Sequence, residues 1–222
     1  MPSRPGGVVL SGFITFEGIE GSGKSSQIAL LSEALRARGL AHVLTREPGG
    51  TPAGESIRGL LLDSATRLGP PAELLLYAAA RAEHLERIIR PALAIGRLVL
   101  CDRYLDATRA YQGYGRGLPL AWIESLHALE PLRLAPDRTV LLDLDPAVGL
   151  ERARGRNRKA ARKAAPDEGR FEAEDLAFHR RVRDGYLSLA KAEPKRFHIV
   201  DGDAPEDVVQ KRIQEALCIS AE

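Results

Sequence analysis

Eight consecutive residues near the amino end most constrain the fold, and they match the pattern G-x-x-x-x-G-K-[ST]: Gly18-Ile19-Glu20-Gly21-Ser22-Gly23-Lys24-Ser25. An apolar segment typical of a buried strand, residues 12–17, precedes them. A segment with apolar residues at helical spacing, 24–38, follows. A glycine-rich turn between a strand and a helix points backbone N–H groups and the positive end of the helix at one anion. The pattern therefore predicts a phosphate-binding loop.

The two last residues of this motif carry the polar chemistry. Lys24 supplies a mobile positive charge for the β- and γ-phosphates of a nucleotide, and the hydroxyl of Ser25 can ligate Mg²⁺. Such a loop indicates a nucleotide but not a reaction, because ATPases, GTPases and kinases share it. The guanine-reading pattern Asn-Lys-x-Asp of GTPases is absent from the sequence.

Short aliphatic runs alternate with longer helical patterns along the whole chain. The predicted strands are 12–17, 42–45, 98–101, 139–144 and 197–200, and the predicted helices are 24–38, 53–62, 71–93, 171–191 and 205–217. This alternation predicts an α/β fold with a parallel five-stranded sheet and helices on both faces. We expect one domain over residues 1–222, with 1–11 as a flexible leader. Ligands of such sheets bind at the carboxyl ends of the strands.

Composition excludes several classes of protein. With 44% hydrophobic and 28% charged residues among 222, the chain can bury a core. Its longest uninterrupted apolar stretch, Leu74–Ala80, is too short to cross a membrane. The two cysteines, Cys101 and Cys218, have no spacing typical of a disulfide framework or a metal site. These features favour a reducing, cytoplasmic location with no membrane partner.

Arginines recur beyond several predicted strands, namely Arg46, Arg58, Arg81, Arg103 and a cluster between 152 and 170. Several guanidinium groups in one crevice suit a reaction between two phosphorylated substrates, because their mutual repulsion must be neutralised.

Four blocks of sequence together resemble the thymidylate kinase family over nearly the whole chain. They are Phe16–Ser25; Thr45-Arg46-Glu47-Pro48-Gly49-Gly50-Thr51; Cys101-Asp102-Arg103-Tyr104 with Ala110-Tyr111-Gln112-Gly113; and Leu142-Asp143-Leu144-Asp145-Pro146. The resemblance implies a nucleoside-monophosphate-kinase fold, transfer of the γ-phosphoryl group of ATP to dTMP, and a homodimer. A kinase of another nucleoside monophosphate or of a deoxynucleoside is the nearest alternative.

The resemblance also implies roles for individual residues. Tyr77 would stack on the thymine ring, and Arg81, one helical turn later, would hydrogen-bond the base. Without the resemblance, the run Leu74-Leu75-Leu76-Tyr77 favours a core aromatic at this position. Arg58 and Arg103 would bind the dTMP phosphate, and Arg103 would bridge the two phosphates. The remaining matches are Thr108 and Gln112 near the base edge, Tyr111 against the sugar 2′ position, and Glu20 near the 3′ hydroxyl.

A carboxylate at a strand end is expected to accompany the magnesium ion with Ser25. Asp102 is the first choice, because Arg103 lies beside it. Asp143 and Asp145 also lie at the end of a predicted strand and compete for this assignment.

The segment 152–170 carries eight basic and two acidic residues, whereas the whole chain has a net charge of only +2. It is interpreted as a lid over ATP, with a nucleic-acid-binding tract or a solvated charged helix as alternatives. The loop residues Glu20-Gly21-Ser22 lack arginine, and bacterial family members of this type carry the catalytic arginine in the lid. Arg154 and Arg156 are the candidates, followed by Arg170. Gly155 and Gly169 suit hinges.

Overall fold

The computed structural model describes residues 12–161 and 169–219, and the side chains of 12–156 and 169–219. The expected leader, 1–11, and the middle of the basic segment lie outside these ranges. In the described part, five strands form one sheet: β1 (Phe13–Glu17), β2 (His42–Arg46), β3 (Leu98–Asp102), β4 (Arg138–Asp143) and β5 (Phe197–Asp201).

All strand pairs are parallel, and the order across the sheet is β2-β3-β1-β4-β5. The predicted fold class is therefore confirmed. β1 lies in the centre, between β3 and β4, so that chain connections leave it in opposite directions. A crevice opens at such a point beyond the carboxyl ends of the strands.

The helices of the described residues are α1 (Lys24–Ala37), α2 (Pro52–Leu62), α3 (Pro70–His84), α4 (Arg90–Ala94), α5 (Leu105–Thr108), α6 (Leu120–His127), α7 (Pro146–Ala161), α8 (Leu176–Ala192) and α9 (Glu206–Ala216). π-Helical turns, Leu85–Ile89 and Arg109–Gly115, extend α3 and α5. In the described ranges we find no helix long and apolar enough to cross a bilayer.

One helix begins later than predicted, and another, α7, was not among the predicted helices. α8 begins at Leu176 rather than near Phe171, because the Asp175 side chain caps it by accepting a hydrogen bond from the backbone N–H of Phe178 at 2.6 Å. The start of the basic segment is helical, because it continues α7 from Pro146.

The core alternates between the two faces of the sheet, as the two-residue period of a strand requires. Ile14 and Phe16 of β1 pack beneath α1 and α9, together with the predicted helix positions Ile28, Leu31 and Leu35. Phe13 faces the opposite layer and packs with residues of α3, α4 and β3. Because all five residues of β1 are buried, the loop that follows starts from a rigid strand.

Candidate active site

One crevice of about 390 Å³ lies beyond the carboxyl ends of β1 and β3. Most of the residues that the sequence singled out line it: Glu20, Gly21, Gly23, Lys24, Ser25, Arg58, Tyr77, Arg81, Asp102, Arg103, Thr108, Tyr111, Gln112 and Arg156. Gly18, Ile19 and Ser22 lie behind this lining, in the body of the loop. Residues separated by up to 136 positions thus meet in one place.

The phosphate-binding loop has the backbone geometry that its glycines allow. Gly18, Gly21 and Gly23 have φ values of 140°, 72° and 90°, in a region that side chains with a Cβ atom rarely adopt. The loop holds Lys24 in place, because its Nζ atom donates to the carbonyl oxygens of Gly18 at 2.9 Å and Ile19 at 2.8 Å. Burial, and then the nearby positive charge of Arg103, lower the pKa of Lys24 to about 8.

Helix α7 packs directly on this loop through two glycines. A Cβ atom on Gly21 would collide with the backbone of Gly149, and one on Gly149 would collide with the carbonyl oxygen of Glu20. This close approach brings the next two turns of α7 to the rim of the crevice. Arg156 lines the crevice there and forms an ion pair with Glu172 at 3.2 Å, whereas Arg154 is exposed and outside the lining.

A serine and an aspartate at the ends of neighbouring elements offer oxygen ligands to a cation. Ser25 Oγ donates to Asp102 Oδ2 at 2.6 Å, and both residues line the crevice. The competing carboxylates are engaged elsewhere. Asp143 accepts two hydrogen bonds from Arg183, at 2.7 and 2.8 Å, and Asp145 accepts one from the N–H of Ala147 at the start of α7. Asp102 is therefore the carboxylate best placed beside Ser25.

Arg103 stands between the loop and the opposite wall of the crevice. Its φ of 69° turns the chain sharply after β3, and its NH2 donates to Glu20 Oε1 at 2.8 Å. The guanidinium also lies 4.8 Å from the centre of the Tyr111 ring. Burial alone would raise the pKa of Glu20, but Arg103 and the other donors around it hold this pKa well below its ordinary value. Glu20 is therefore an anion in the folded protein.

The opposite wall is formed by α3 and α5. Tyr77 and Arg81 project from one face of α3 into the crevice, as their spacing of four residues predicts. Arg81 is only 1% exposed, and Thr108 of α5 accepts a hydrogen bond from its NH2 at 3.0 Å. The Tyr111 hydroxyl donates to Glu20 Oε2 at 2.6 Å, which links this wall to the loop.

Two further arginines border the crevice near the end of β2. Arg58 lines it and donates to the carbonyl oxygen of Pro48 at 3.0 Å. Arg46 also lines it and forms an ion pair with Glu55 at 2.9 Å. The predicted convergence of Arg46, Arg58, Arg81 and Arg103 is therefore observed.

Arg170 differs from the expectation that it serves in the lid. It is buried, its NH2 contacts Glu73 Oε2, and its Nε donates to the carbonyl oxygen of Leu61 at 2.5 Å. These bonds tie the end of the basic segment to α2 and α3. The same carboxylate accepts a hydrogen bond from Gln112 Nε2 at 2.7 Å, so the amide of Gln112 is oriented by Glu73.

Four side chains that contact residues of the crevice were not singled out from the sequence: Glu47, Glu73, His127 and Glu172. Each acts by holding another residue of the site. Glu47 lies inside one of the four blocks, and this position was the available signal. Single polar residues such as Glu73 and His127 have no local pattern, because their partners are 39 and 46 positions away.

Comparison with known proteins agrees with this geometry. The family model described as thymidylate kinase matches residues 16–213. A protein of Solidesulfovibrio magneticus named thymidylate kinase is 53% identical over 202 residues, covering 90% of this chain and 96% of its own. One of Trichlorobacter lovleyi with the same name is 55% identical, covering 92% of this chain and 96% of its own.

A solved structure supports the same assignment. The crystal structure of thymidylate kinase from Ehrlichia chaffeensis is 37% identical to this chain, with a TM-score of 0.72. It covers 93% of this chain, and 98% of its own length is matched. Fold, crevice and sequence agree: the chain belongs to the thymidylate kinase family of nucleoside monophosphate kinases.

Proposed function

We propose that the chain transfers the γ-phosphoryl group of ATP to dTMP, giving dTDP and ADP. The observation that carries this proposal is the position of Arg103, whose guanidinium touches the phosphate loop through Glu20 and the opposite wall through Tyr111. A cation in that place lies between a donor on the loop and an acceptor on α3. Two phosphorylated substrates can therefore approach each other across it.

The donor side is assigned to the loop and α1. The backbone N–H groups of Gly18–Ser25 surround the phosphates, and α1 adds the positive end of its dipole. Lys24 already points into the loop and needs only to exchange carbonyl oxygens for phosphate oxygens. This exchange replaces neutral acceptors by anionic ones, which favours binding.

The acceptor side is assigned to α2, α3 and α5. Tyr77 supplies a ring face for the thymine, Arg81 and Gln112 supply polar groups for its edge, and Arg58 binds the phosphate. Thr108 supports Arg81. The Tyr111 ring crowds the sugar 2′ position and so favours deoxyribose. Glu20 faces the 3′ hydroxyl.

Catalysis on this assignment consists of positioning and electrostatic stabilisation. The acceptor is already a phosphate oxygen, so that no protein nucleophile is required. Arg103 and a lid arginine neutralise charge on the migrating group, and closure of the basic segment excludes water. Arg156 is the lid arginine favoured here over Arg154, because it lines the crevice.

The residues present also fit a magnesium ion. Hydroxyl and carboxylate oxygens are its preferred ligands, and Ser25 and Asp102 place one of each 2.6 Å apart at the loop. The described residues contain no cluster of three or more His, Cys, Asp or Glu side chains arranged for a metal, which agrees with an ion held mainly by phosphates and water. When bound, Mg²⁺ would neutralise charge on the phosphates.

A substrate panel tests the proposed reaction. We expect ADP release from ATP to be strongly stimulated by dTMP, and less by dUMP, CMP, AMP, GMP or thymidine. A preference for another monophosphate or for thymidine would replace dTMP by that acceptor. ATP hydrolysis that no acceptor affects, together with steeply salt-dependent DNA binding, would instead favour a nucleic-acid-binding role of the basic segment.

The pKa of Lys24 predicts a pH dependence. With a pKa of about 8 in the free protein, the protonated fraction falls from roughly nine-tenths at pH 7 to roughly one-tenth at pH 9. Only the cation binds phosphate well, so that kcat/KM for ATP is expected to fall about tenfold between these pH values. Bound phosphates raise the pKa, and kcat is therefore expected to fall only at higher pH.

The measurement is a pair of profiles, kcat and kcat/KM for ATP, from pH 6.5 to 9.5. Lys24→Arg is the matched variant, because a guanidinium stays protonated throughout. If it retains activity, its profile is expected to lack the fall near pH 8. A native kcat/KM that is constant up to pH 9.5 contradicts the prediction.

We also propose a homodimer in the cytoplasm, built as one domain. Its lid is the basic segment, residues 152–170, whose end is anchored to α2 and α3 by Arg170. Exposed apolar side chains on neighbouring helices support the dimer: Leu60 of α2, Leu75 of α3 and Trp122 of α6 are 53%, 60% and 57% exposed. α3 packs against both α2 and α6. Light scattering of the native protein and of Leu75→Glu tests this, with a monomeric native protein as the contradicting result.

A further inference from the structure

Arg81 is fixed by three acceptors from three separate segments of the chain. Its Nε donates to Glu47 Oε2 at 2.8 Å, its NH2 donates to Thr108, and its NH1 contacts His127 Nε2. The guanidinium also lies 4.8 Å from the centre of the Tyr104 ring. The three hydrogen bonds fix the rotation of the guanidinium within its plane, and the Tyr104 ring fixes the orientation of that plane.

His127, the last residue of α6, acts as a neutral acceptor in this arrangement. Its Nδ1 lies 2.8 Å from the carbonyl oxygen of Ile123, which can only accept, so that the proton is on Nδ1. Nε2 then presents its lone pair to the NH1 group of Arg81. Burial, and then the charge of Arg81, lower the pKa of His127 to about 4, which agrees with a neutral ring.

Resting on the proposed function, we propose that His127 is a positioning residue that holds the guanidinium of Arg81 in place for contact with the base. It thereby sets the preference for a pyrimidine with a carbonyl group at position 4 over one with an amino group there. Three of the five N–H groups of Arg81 are used by described residues, which leaves one on each terminal nitrogen. Both are donors, and they require an acceptor on the base. An amino group at that position would place donors against donors.

The neutrality of His127 matters for the phosphate as well as for the base. Among the described partners of Arg81, Glu47 is the one carboxylate, and it is shared with His84 at 3.0 Å. A second carboxylate at position 127 would cancel more of the positive charge of a crevice that receives anionic substrates. A histidine held as an acceptor fixes the arginine without this cost.

A purely structural role of His127 makes a different prediction. His127 also attaches α6 to α3, and a general loosening would lower kcat/KM for every acceptor by a similar factor. A positioning role instead lowers the ratio of kcat/KM for dTMP to kcat/KM for dCMP. This ratio is therefore the decisive readout.

The experiment compares His127→Phe with His127→Gln. The phenylalanine keeps the volume but accepts no hydrogen bond, and we expect the dTMP to dCMP ratio to fall about tenfold, with KM for ATP unchanged. The glutamine offers an oxygen acceptor, and we expect it to restore most of the ratio. His198→Phe, on the edge strand β5, is the control and is expected to behave as native. A ratio in His127→Phe that equals the native ratio overturns the proposal.

The native protein provides a test that does not depend on the folding of a variant. In native protein labelled uniformly with ¹³C and ¹⁵N, the ring nitrogens of His127 are assigned through their couplings to the sequentially assigned backbone. We expect a neutral ring protonated at Nδ1 in the presence of dTMP, and a ring protonated at Nε2 overturns the proposal. If the native protein prefers a phosphoryl acceptor other than dTMP, the proposed function fails. The tautomer of His127, and with it the hydrogen bond to Arg81, is still measured directly.

Discussion

Replacement of Arg156 by alanine is expected to lower kcat by about 10³-fold, which is the low end of the effect of an arginine that reaches a transferring phosphoryl group. In the structure this side chain is 60% exposed and paired with Glu172 at 3.2 Å on the rim of the crevice. Glu172 is only 10% exposed, but the guanidinium of Arg156 is largely in solvent, and screening by water weakens the pair. The guanidinium can therefore leave Glu172 for the phosphoryl group when substrates are bound.

The loss should appear in kcat rather than in KM for either substrate, because the contact is made only in the transition state. Steady-state kinetics with both substrates varied measures it. Arg154→Ala is the competing variant, and a larger loss there than in Arg156→Ala transfers the catalytic role to Arg154. Arg87→Ala, in an exposed pair with Glu83, controls for the removal of a positive charge.

Replacement of Arg103 by alanine is expected to lower kcat/KM for dTMP by about 10²- to 10³-fold while ATP binding changes little. The variant removes the cation between the two substrate positions. It also leaves Glu20 without the partner at 2.8 Å that lowers its pKa. An unneutralised carboxylate beside the phosphates adds repulsion to the loss of attraction.

Kinetics with dTMP as the varied substrate, and equilibrium binding of ATP measured separately, test this second prediction. The double variant Arg103→Ala with Glu20→Gln is informative, since removal of the orphaned carboxylate should recover part of the loss. If Arg103→Ala turns over dTMP as fast as the native protein, Arg103 has no role in the site. A comparable loss of ATP affinity would place it on the donor side only.

The strands and the main helices could be predicted from the sequence, because their signals are local. The glycines of the loop predict a turn, and the aliphatic runs predict buried strands. The spacing of Ile28, Leu31 and Leu35 places them on one face of a helix. Boundaries failed where a single cap decided them, as at Asp175. Most site residues could also be placed at strand ends, since parallel strands share one carboxyl edge.

The choice between equivalent residues required the fold. Asp102, Asp143 and Asp145 all lie at or just beyond the end of a strand, yet Asp143 is paired with Arg183, and Asp145 caps α7. Arg154 and Arg156 are equally basic, yet the packing of Gly149 on Gly21 turns Arg156 toward the crevice. Such decisions depend on pairings between distant segments, which carry no spacing pattern.

The sequence by itself determined a phosphate loop, a parallel sheet and the family, because backbone preference, burial period and short motifs act within a few residues of one another. Only the tertiary structure decided which side chains hold the others, as Glu47, Glu73 and His127 do. The reason is physical. A buried charge or polar group must be satisfied by whichever partner the packing brings within about 3 Å, and that partner can come from anywhere in the chain.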